Sequence, residues 1–423
     1  MSAGTRAAPG VGDGRGALPG AIVVGGGENG LAAVRALATE GVRVALVCTR
    51  PSDLAQHSRY VSAVHRLHGF QEEPRLLIDL LESHANSYAG WAVIPTNDYA
   101  LAVLAQEQDR LARWYPPTVP SWPVTQQVVD KAITCRLARE LGIDLPQSYG
   151  PAATFTEYES VRYPVIVKPV QGHLFWDVFG RKLFVAHTEA ELRTAVEAVR
   201  AAALEAELFD LVPGPDDHVF EYSTYVDLTG EPMAEFAARK LRQGPPFYGV
   251  ARAATMVDPA PLREPSLAMA RRLGWRGLLN IEYKLDPRDG RYRLLEVNGR
   301  CFLSHGLAWR AGMNYPLLMW RERALGQAVQ CTPNGWRGTW IHLHADLLYT
   351  AMCLGREQWR WRDFVRSYTG PRTFAVLSAR DPKPSVVQWA RTVKKAARVL
   401  ANAGERSAVR ARVQRMPAAE ARA

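Results

Sequence analysis

The sequence predicts a multidomain chain of mixed α/β and α+β class, and three observations carry that reading. An apolar strand from Ala21 to Val24 runs into Gly25-Gly26-Gly27-Glu28-Asn29-Gly30, then a helix-like stretch from Leu31 and a second strand from Val42 to Val47. That order indicates a parallel, Rossmann-like sheet. Val165-Ile166-Val167-Lys168-Pro169 is a short buried strand carrying a lysine, followed by an amphipathic helix from Thr188 to Leu204. Finally, NIEYKLDPRDGRYRLLEVNGR, from Asn280 to Arg300, reads as two strands around Asp286-Pro287-Arg288-Asp289-Gly290.

With 423 residues, 47% of them hydrophobic, the chain is long enough for two or three domains. Residues 1–20 lack the apolar core of a signal peptide and read as a flexible tail. The Rossmann-like unit occupies 21–123, with a further strand from Ala92 to Pro95 and a helix capped by Thr96-Asn97-Asp98, and it ends in the proline-rich stretch from Pro116 to Pro123. A second unit, 124–212, opens with the helical pattern VTQQVVDKAITCRLARELGI, and a larger α+β unit follows over 213–329. Residues 330–384 are aromatic and irregular, through Trp336, Trp340, Trp359 and Trp361. Residues 385–423 form a basic amphipathic helical tail in which Val386, Trp389, Val393, Ala397 and Leu400 recur at helical spacing.

The five cysteines are scattered without CxxC pairs, which suits a reduced cytoplasm and argues against structural zinc. No apolar run reaches spanning length. The formal charge of +10 is concentrated: from Ser385 onward nine Lys or Arg face only Glu405 and Glu420, so the tail holds +7 of it. The body is close to neutral, and nucleic acid is not expected as a partner.

In a hairpin centred on the Asp286–Gly290 turn, residues of equal parity face each other. Glu282, Glu296 and Asn298 then share one face, while Ile281, Leu295 and Val297 point into a core. Two carboxylates and an amide oxygen make a hard-oxygen site suited to Mg²⁺ with attached phosphates. Lys168, inside an apolar strand, needs an anionic partner if buried, and a polyphosphate is one. Lys131 lies in a helix. Arg239-Lys240-Leu241-Arg242 is either an exposed basic turn or a means of stabilising charge on a transferring phosphoryl group. Asp216 and Asp217 could simply form a turn. Ser304 and His305 are either substrate contacts or ordinary loop residues. Gly25, Gly27 and Gly30 match GxGxxG, yet the second strand ends Val47-Cys48-Thr49-Arg50 with no ribose-binding acid. A tight packing turn is therefore preferred over a dinucleotide site. There is no GxSxG and no HExxH.

Together these features resemble the ATP-grasp superfamily, over roughly Ala21 to Gly326. Within it the chain is similar to the carboxylate–amine ligases that include bacterial D-aspartate ligases, through YPVIVKP, ARKLRQGPPFYG, GWRGLLNIEYKLDPRDGRYRLLEVNGR and ARDPKP. The resemblance implies an ATP-grasp fold: a Rossmann-like pre-ATP-grasp domain, a small lid subdomain and a larger catalytic α+β subdomain. It implies ATP as cofactor, with Lys131 and Lys168 on its α- and β-phosphates and Lys182 in the closing lid loop. Phe209 to Gly214 would be the hinge, with Leu211 and Val212 reading the adenine edge and Asp210 or Asp217 near the ribose. Glu282, Glu296 and Asn298 would hold two Mg²⁺ ions, for which Mn²⁺ could substitute. Arg300 would contact an acyl phosphate, and Arg239 and Arg242 the γ-phosphate or acceptor carboxylate.

Three departures stand out. The hinge has Phe209-Asp210 where the family has Gln-Glu. The lid loop carries His173, Leu174, Phe175, Trp176 and Phe179 where glycines are usual, which suggests a different grip or an apolar substrate. Asn298-Gly299-Arg300 replaces the commoner Asn-Pro-Arg. The activity implied is an ATP-dependent, ADP-forming ligation of a small-molecule carboxylate to an amine through an acyl phosphate, in a cytoplasmic protein, with homodimers common among similar ligases. The alternatives are a non-catalytic ATP-binding regulatory protein of the same fold and an NADP-dependent oxidoreductase built on Gly25 to Gly30. The basic tail reads as a solvated or partner-contacting element that would also suit contact with an anionic membrane or an acidic partner.

Overall fold

The computed structural model describes residues 18–401 apart from 68, 71, 171–174, 176–177, 182, 247–248, 329 and 353–360. Strands β1 (Ala21–Val24), β2 (Val44–Cys48), β3 (Val61–Arg66) and β4 (Ala92–Pro95) form a wholly parallel sheet in the order β3-β2-β1-β4. Every residue of β1, β2 and β4 is buried, as expected where both faces of a parallel sheet are covered. The glycine loop after β1 turns straight into helix Glu28–Ala38. A Cβ at Gly30 would lie 2.0 Å from the Gly25 carbonyl oxygen, and Gly25 itself has φ +99°. Only glycine allows that closeness and that backbone conformation.

Strands β5 (Ser148–Pro151), β6 (Val165–Pro169), β7 (Phe184–Ala186) and β8 (Ala206–Asp210) make an antiparallel sheet in the order β5-β8-β6-β7. Helix Glu189–Ala201 covers it with Leu192, Val196 and Val199. Phe175 is fully buried in this small core, with ring centroids 4.7 Å from Phe179 and 5.2 Å from Phe184. Two of the bulky loop residues therefore stabilise the lid from inside instead of facing a substrate. His173, Leu174, Trp176 and Lys182 lie outside the described residues.

The largest sheet contains β9 (Val219–Val226), β10 (Pro232–Gly244), β11 (Val250–Val257), β12 (Gly277–Asp286), β13 (Arg291–Asn298), β14 (Thr339–Ile341) and β15 (Arg372–Phe374), in the order β13-β12-β9-β10-β11-β14-β15. Segment 330–384, read from sequence as an irregular extension, thus adds two strands to this sheet, and Trp340 is buried in it. Helices Trp122–Val129 and Lys131–Glu140 also pack differently from their sequence grouping with the lid. Val128, Leu137 and Ala138 share a core with Ile281, Tyr283 and Val297, whereas the buried residues described in the lid core lie between Ala152 and Leu208. Lys131 is carried to the large sheet by that packing.

Near the C-terminus, the Asp381 carboxylate is buried and accepts from Arg35 Nε at 2.9 Å, Ser58 Oγ at 2.8 Å and the Arg59 N–H at 3.0 Å. This ties the start of helix Lys383–Ala401 to the Rossmann-like unit. Among the described residues no helix is long and apolar enough to cross a membrane.

Candidate functional site

Across the large sheet, Glu296 of β13 pairs with Glu282 of β12, Glu282 with Glu221 of β9, and Glu221 with Ala238 of β10. Three carboxylates therefore start from one rung. The hairpin reaches this arrangement through a bulge. Near the turn Asp286 faces Arg291 and Tyr283 faces Leu294, so a regular ladder would pair Glu282 with Leu295. One extra residue, Leu295, shifts the register and turns Glu296 and Asn298 to the side of Glu282. The equal-parity pairing expected from the turn holds only beyond the bulge. In consequence Leu294, not Leu295, fills the core position beside Ile281 and Val297.

Two places further along β10 from Ala238, on the same face, Lys240 is buried with Nζ 2.8 Å from Glu282 Oε2. Burial opposes its charge, but Glu282 and Glu221 outweigh that and hold the ammonium above its ordinary value. Glu221 is buried too and accepts from Ser304 Oγ at 2.6 Å; burial raises its carboxyl, with Lys240 pulling the other way. Lys131 Nζ lies 3.7 Å from Glu296 Oε1. Partial burial disfavours the Glu296 charge, yet Lys168, Lys131, Arg300 and Lys240 together bring its carboxyl down to about 2. Lys168 is lowered by burial and by Lys131, against the attraction of Glu296. Arg300 donates to both Asp98 oxygens, at 2.8 and 3.1 Å, and to Asn298 Oδ1 at 3.0 Å. Asp98 begins helix Asp98–Gln106, so this pair joins the Rossmann-like unit to the site.

The structure brings together Lys131, Lys168, Glu282, Glu296, Asn298 and Arg300. The other positions named from sequence stand apart or are otherwise engaged. Arg242 is almost wholly buried, bidentate to Asp346 at 2.8 and 2.7 Å and bonded to Ser367 Oγ. Arg239 neighbours Ala238 in β10 and so projects from the opposite face, 3.7 Å from Asp217, into a cavity of about 770 Å³ that Thr255, Thr339 and Arg366 also line. Of the basic run, Lys240 is the member that faces the carboxylate rung. In the hinge, Asp210 accepts from Arg288 at 2.8 Å and the Leu211 N–H donates to the Pro164 carbonyl at 3.1 Å, while Val212 is buried. Asp216 is held by the Gln243 amide and side chain.

Lys240 and Glu221 were not singled out from sequence. A signal for Glu221 existed in its strand, where Glu221 and Ser223 alternate with Phe220 and Tyr222. Lys240 sat inside a basic run whose members could not be separated until the register was known. Of the undecided pair, Ser304 supports Glu221. His305 is buried against Phe302 and Tyr315, and burial pushes its ring down to about 3, so it is neutral.

The rung is chemically suited to a hard divalent cation carrying phosphates. Among the described residues no three His, Cys, Asp or Glu side chains converge as a self-sufficient metal cage. Mg²⁺ does not need one, since it is commonly held by one or two carboxylates plus substrate phosphates. Glu282, Glu296 and the Asn298 amide oxygen supply hard donors, now facing Lys240, Lys131 and Arg300 respectively. The glycine loop is a different case. Asp53 Oδ2 is buried there and accepts the N–H groups of Gly26, Thr49 and Arg50 at 3.0, 2.9 and 3.2 Å. A carboxylate of the chain itself thus engages one amide of the glycine loop and two just after the second strand.

Residues 250–330 match the family described as carbamoyl-phosphate synthase L chain, ATP binding domain. That span contains Glu282, Glu296, Asn298 and Arg300. The chain is 20% identical to D-aspartate ligase of Enterococcus faecium over 67% of its own length and 72% of the relative's. Its fold matches biotin carboxylase of Campylobacter jejuni with a TM-score of 0.57 at 18% identity, over 75% and 74% of the two chains. The chain has an ATP-grasp fold. A further match is L-amino acid ligase of Bacillus licheniformis, with a TM-score of 0.55 at 17% identity over 72% and 74%. The three sheets described above correspond to the Rossmann-like, smaller and larger sheets of that fold. The charged rung lies on the seven-stranded sheet, with Lys168 of the smaller antiparallel sheet close enough to act on Glu296.

Proposed function

We propose that this ATP-grasp protein is an ADP-forming carboxylate–amine ligase that works through an acyl phosphate. The observation that carries the reading is the rung of Glu296 and Glu282 ringed by Lys131, Lys168, Lys240 and Arg300. Such an arrangement accepts a polyanion and its counter-cations together, which a merely structural ion-pair network has no need to do.

Lys131 and Lys168 would neutralise the α- and β-phosphates of ATP, and the Leu211–Val212 backbone would meet the adenine edge. Asp210, held by Arg288, would lie near the ribose, since Asp217 stands beside Arg239 on the side away from the carboxylates. Glu282, Glu296 and Asn298 would hold two Mg²⁺ ions, or Mn²⁺ in their place, which when bound offset charge on the transferring phosphoryl group. Lys240 and Arg300 would orient the substrate carboxylate for in-line attack on the γ-phosphorus. Its oxygen forms the new P–O bond as the bond to the β-phosphate oxygen breaks and ADP leaves. The amine then attacks the acyl carbon, phosphate departs, and the amine gives up its proton. Closure of the lid, including Lys182, would keep water from the intermediate. The names of two relatives, D-aspartate ligase and L-amino acid ligase, make an amino acid the first substrate class to try.

The test is ADP and phosphate release from Mg·ATP across amino acids and small carboxylates paired with amine acceptors, with Glu296→Ala as control. Acceptor-dependent release that disappears in Glu296→Ala supports the ligase. Failure of the wild-type chain to bind ATP overturns it.

A further inference from the structure

Helix Lys383–Ala401 docks on the body through a mainly polar side, with Val387 packed against the core. Ser385 and Gln388 are buried, Thr392 meets the ring of His344, and Arg391 donates to the Ser52 carbonyl at 2.6 Å. Its apolar stripe faces mainly outward: Val386 is 64% exposed and Val393 65%, while Trp389, 37% exposed, also sets its ring against His344 with centroids 5.0 Å apart. These three are spaced by three and four residues and so share one face. An amphipathic helix ordinarily gains its stability by burying that stripe. Here the orientation is held by contacts at several points, including Asp381 just before the helix, so the apolar face is presented by a fixed support.

Charge indicates what covers it. Lys383 and Lys394 are exposed on the same helix, and the tail from Ser385 holds nine basic residues against two acidic ones. A narrow apolar stripe flanked by cations fits the boundary between anionic headgroups and acyl chains. An identical tail from a second copy would bring like charges together, which disfavours self-association through this face. We propose that helix Lys383–Ala401 seats the protein on an anionic phospholipid surface, with Val386, Trp389 and Val393 entering the boundary and the neighbouring lysines and arginines meeting the headgroups. The helix would lie on the membrane and not cross it.

The experiment is cosedimentation of the full chain with vesicles of phosphatidylserine and phosphatidylcholine, against phosphatidylcholine alone. The expected result is binding to the anionic vesicles that weakens as salt rises from about 0.1 to 1 M. Val386→Asp with Val393→Asp should lower partitioning about tenfold or more. Its thermal midpoint should match wild type, because both side chains are exposed. Three results would overturn the proposal: no preference for anionic vesicles, undiminished binding by the double variant, or a lipid-free dimer that the double variant dissociates in light scattering. The last would assign the stripe to a second copy of the chain.

Discussion

Lys240 Nζ lies 2.8 Å from Glu282 Oε2, at the centre of a sheet where three strands each contribute a carboxylate to one rung. The ammonium is buried and is the cation that makes close glutamates tolerable there. Lys240→Met is expected to lower kcat by about 10²–10³, the scale for losing one preorganised electrostatic group. ATP binding, measured by calorimetry, should persist through Lys131 and Lys168. A variant with wild-type kcat would remove Lys240 from the reaction.

Arg242 and Asp346 form a bidentate pair with almost no exposure. Arg242→Ala should cost about 3–5 kcal/mol of stability, because it leaves a buried carboxylate without its partner. Arg252, 3.3 Å from Asp346, will soften the loss. Denaturant unfolding checks the cost.

Arg239, on the face away from the carboxylates, separates the two halves of the basic run. Arg239→Ala should leave kcat/KM for ATP within about twofold of wild type. A loss of two orders of magnitude would mean that its side chain reaches the phosphates after all.

Glu296 offers a pH test. Its carboxyl is lowered from an ordinary value of 4.5 to about 2 despite partial burial, chiefly by Lys168 and Lys131. A lowered folded-state value means the charge contributes stability in full above about pH 4.5 and loses it as pH falls toward 2. The stability difference between wild type and Glu296→Gln should therefore shrink steadily below pH 4.5. A difference that stays constant over that range would show that the surrounding lysines do not stabilise this charge.

Asp53 holds three backbone N–H groups of the glycine loop and its neighbour. Asp53→Ala should destabilise the fold by about 1–3 kcal/mol, the cost of buried donors left unpaired. Addition of NADP should restore none of it; stabilisation by NADP in a thermal shift assay would revive the dinucleotide reading of this loop.

The sequence by itself determined the parallel sheet behind Gly25–Gly30, because strand, glycine loop and helix are local signals read over a few residues. It likewise determined that Glu282, Glu296, Asn298 and Arg300 flank one turn, and that the tail is basic with an apolar stripe. What it could not contain were relations between distant segments. The bulge at Leu295 depends on how β13 fits β12, and a shift of one residue there decides which face Glu296 takes. Lys240 could be told from Arg239 and Arg242 only after β9 was placed between β10 and β12, since side-chain alternation acquires a direction only once the sheet has two defined faces. The outward turn of Val386 and Val393 is of the same kind. Periodicity marks a stripe, but the partners Asp381, His344 and Ser52 decide which way it points.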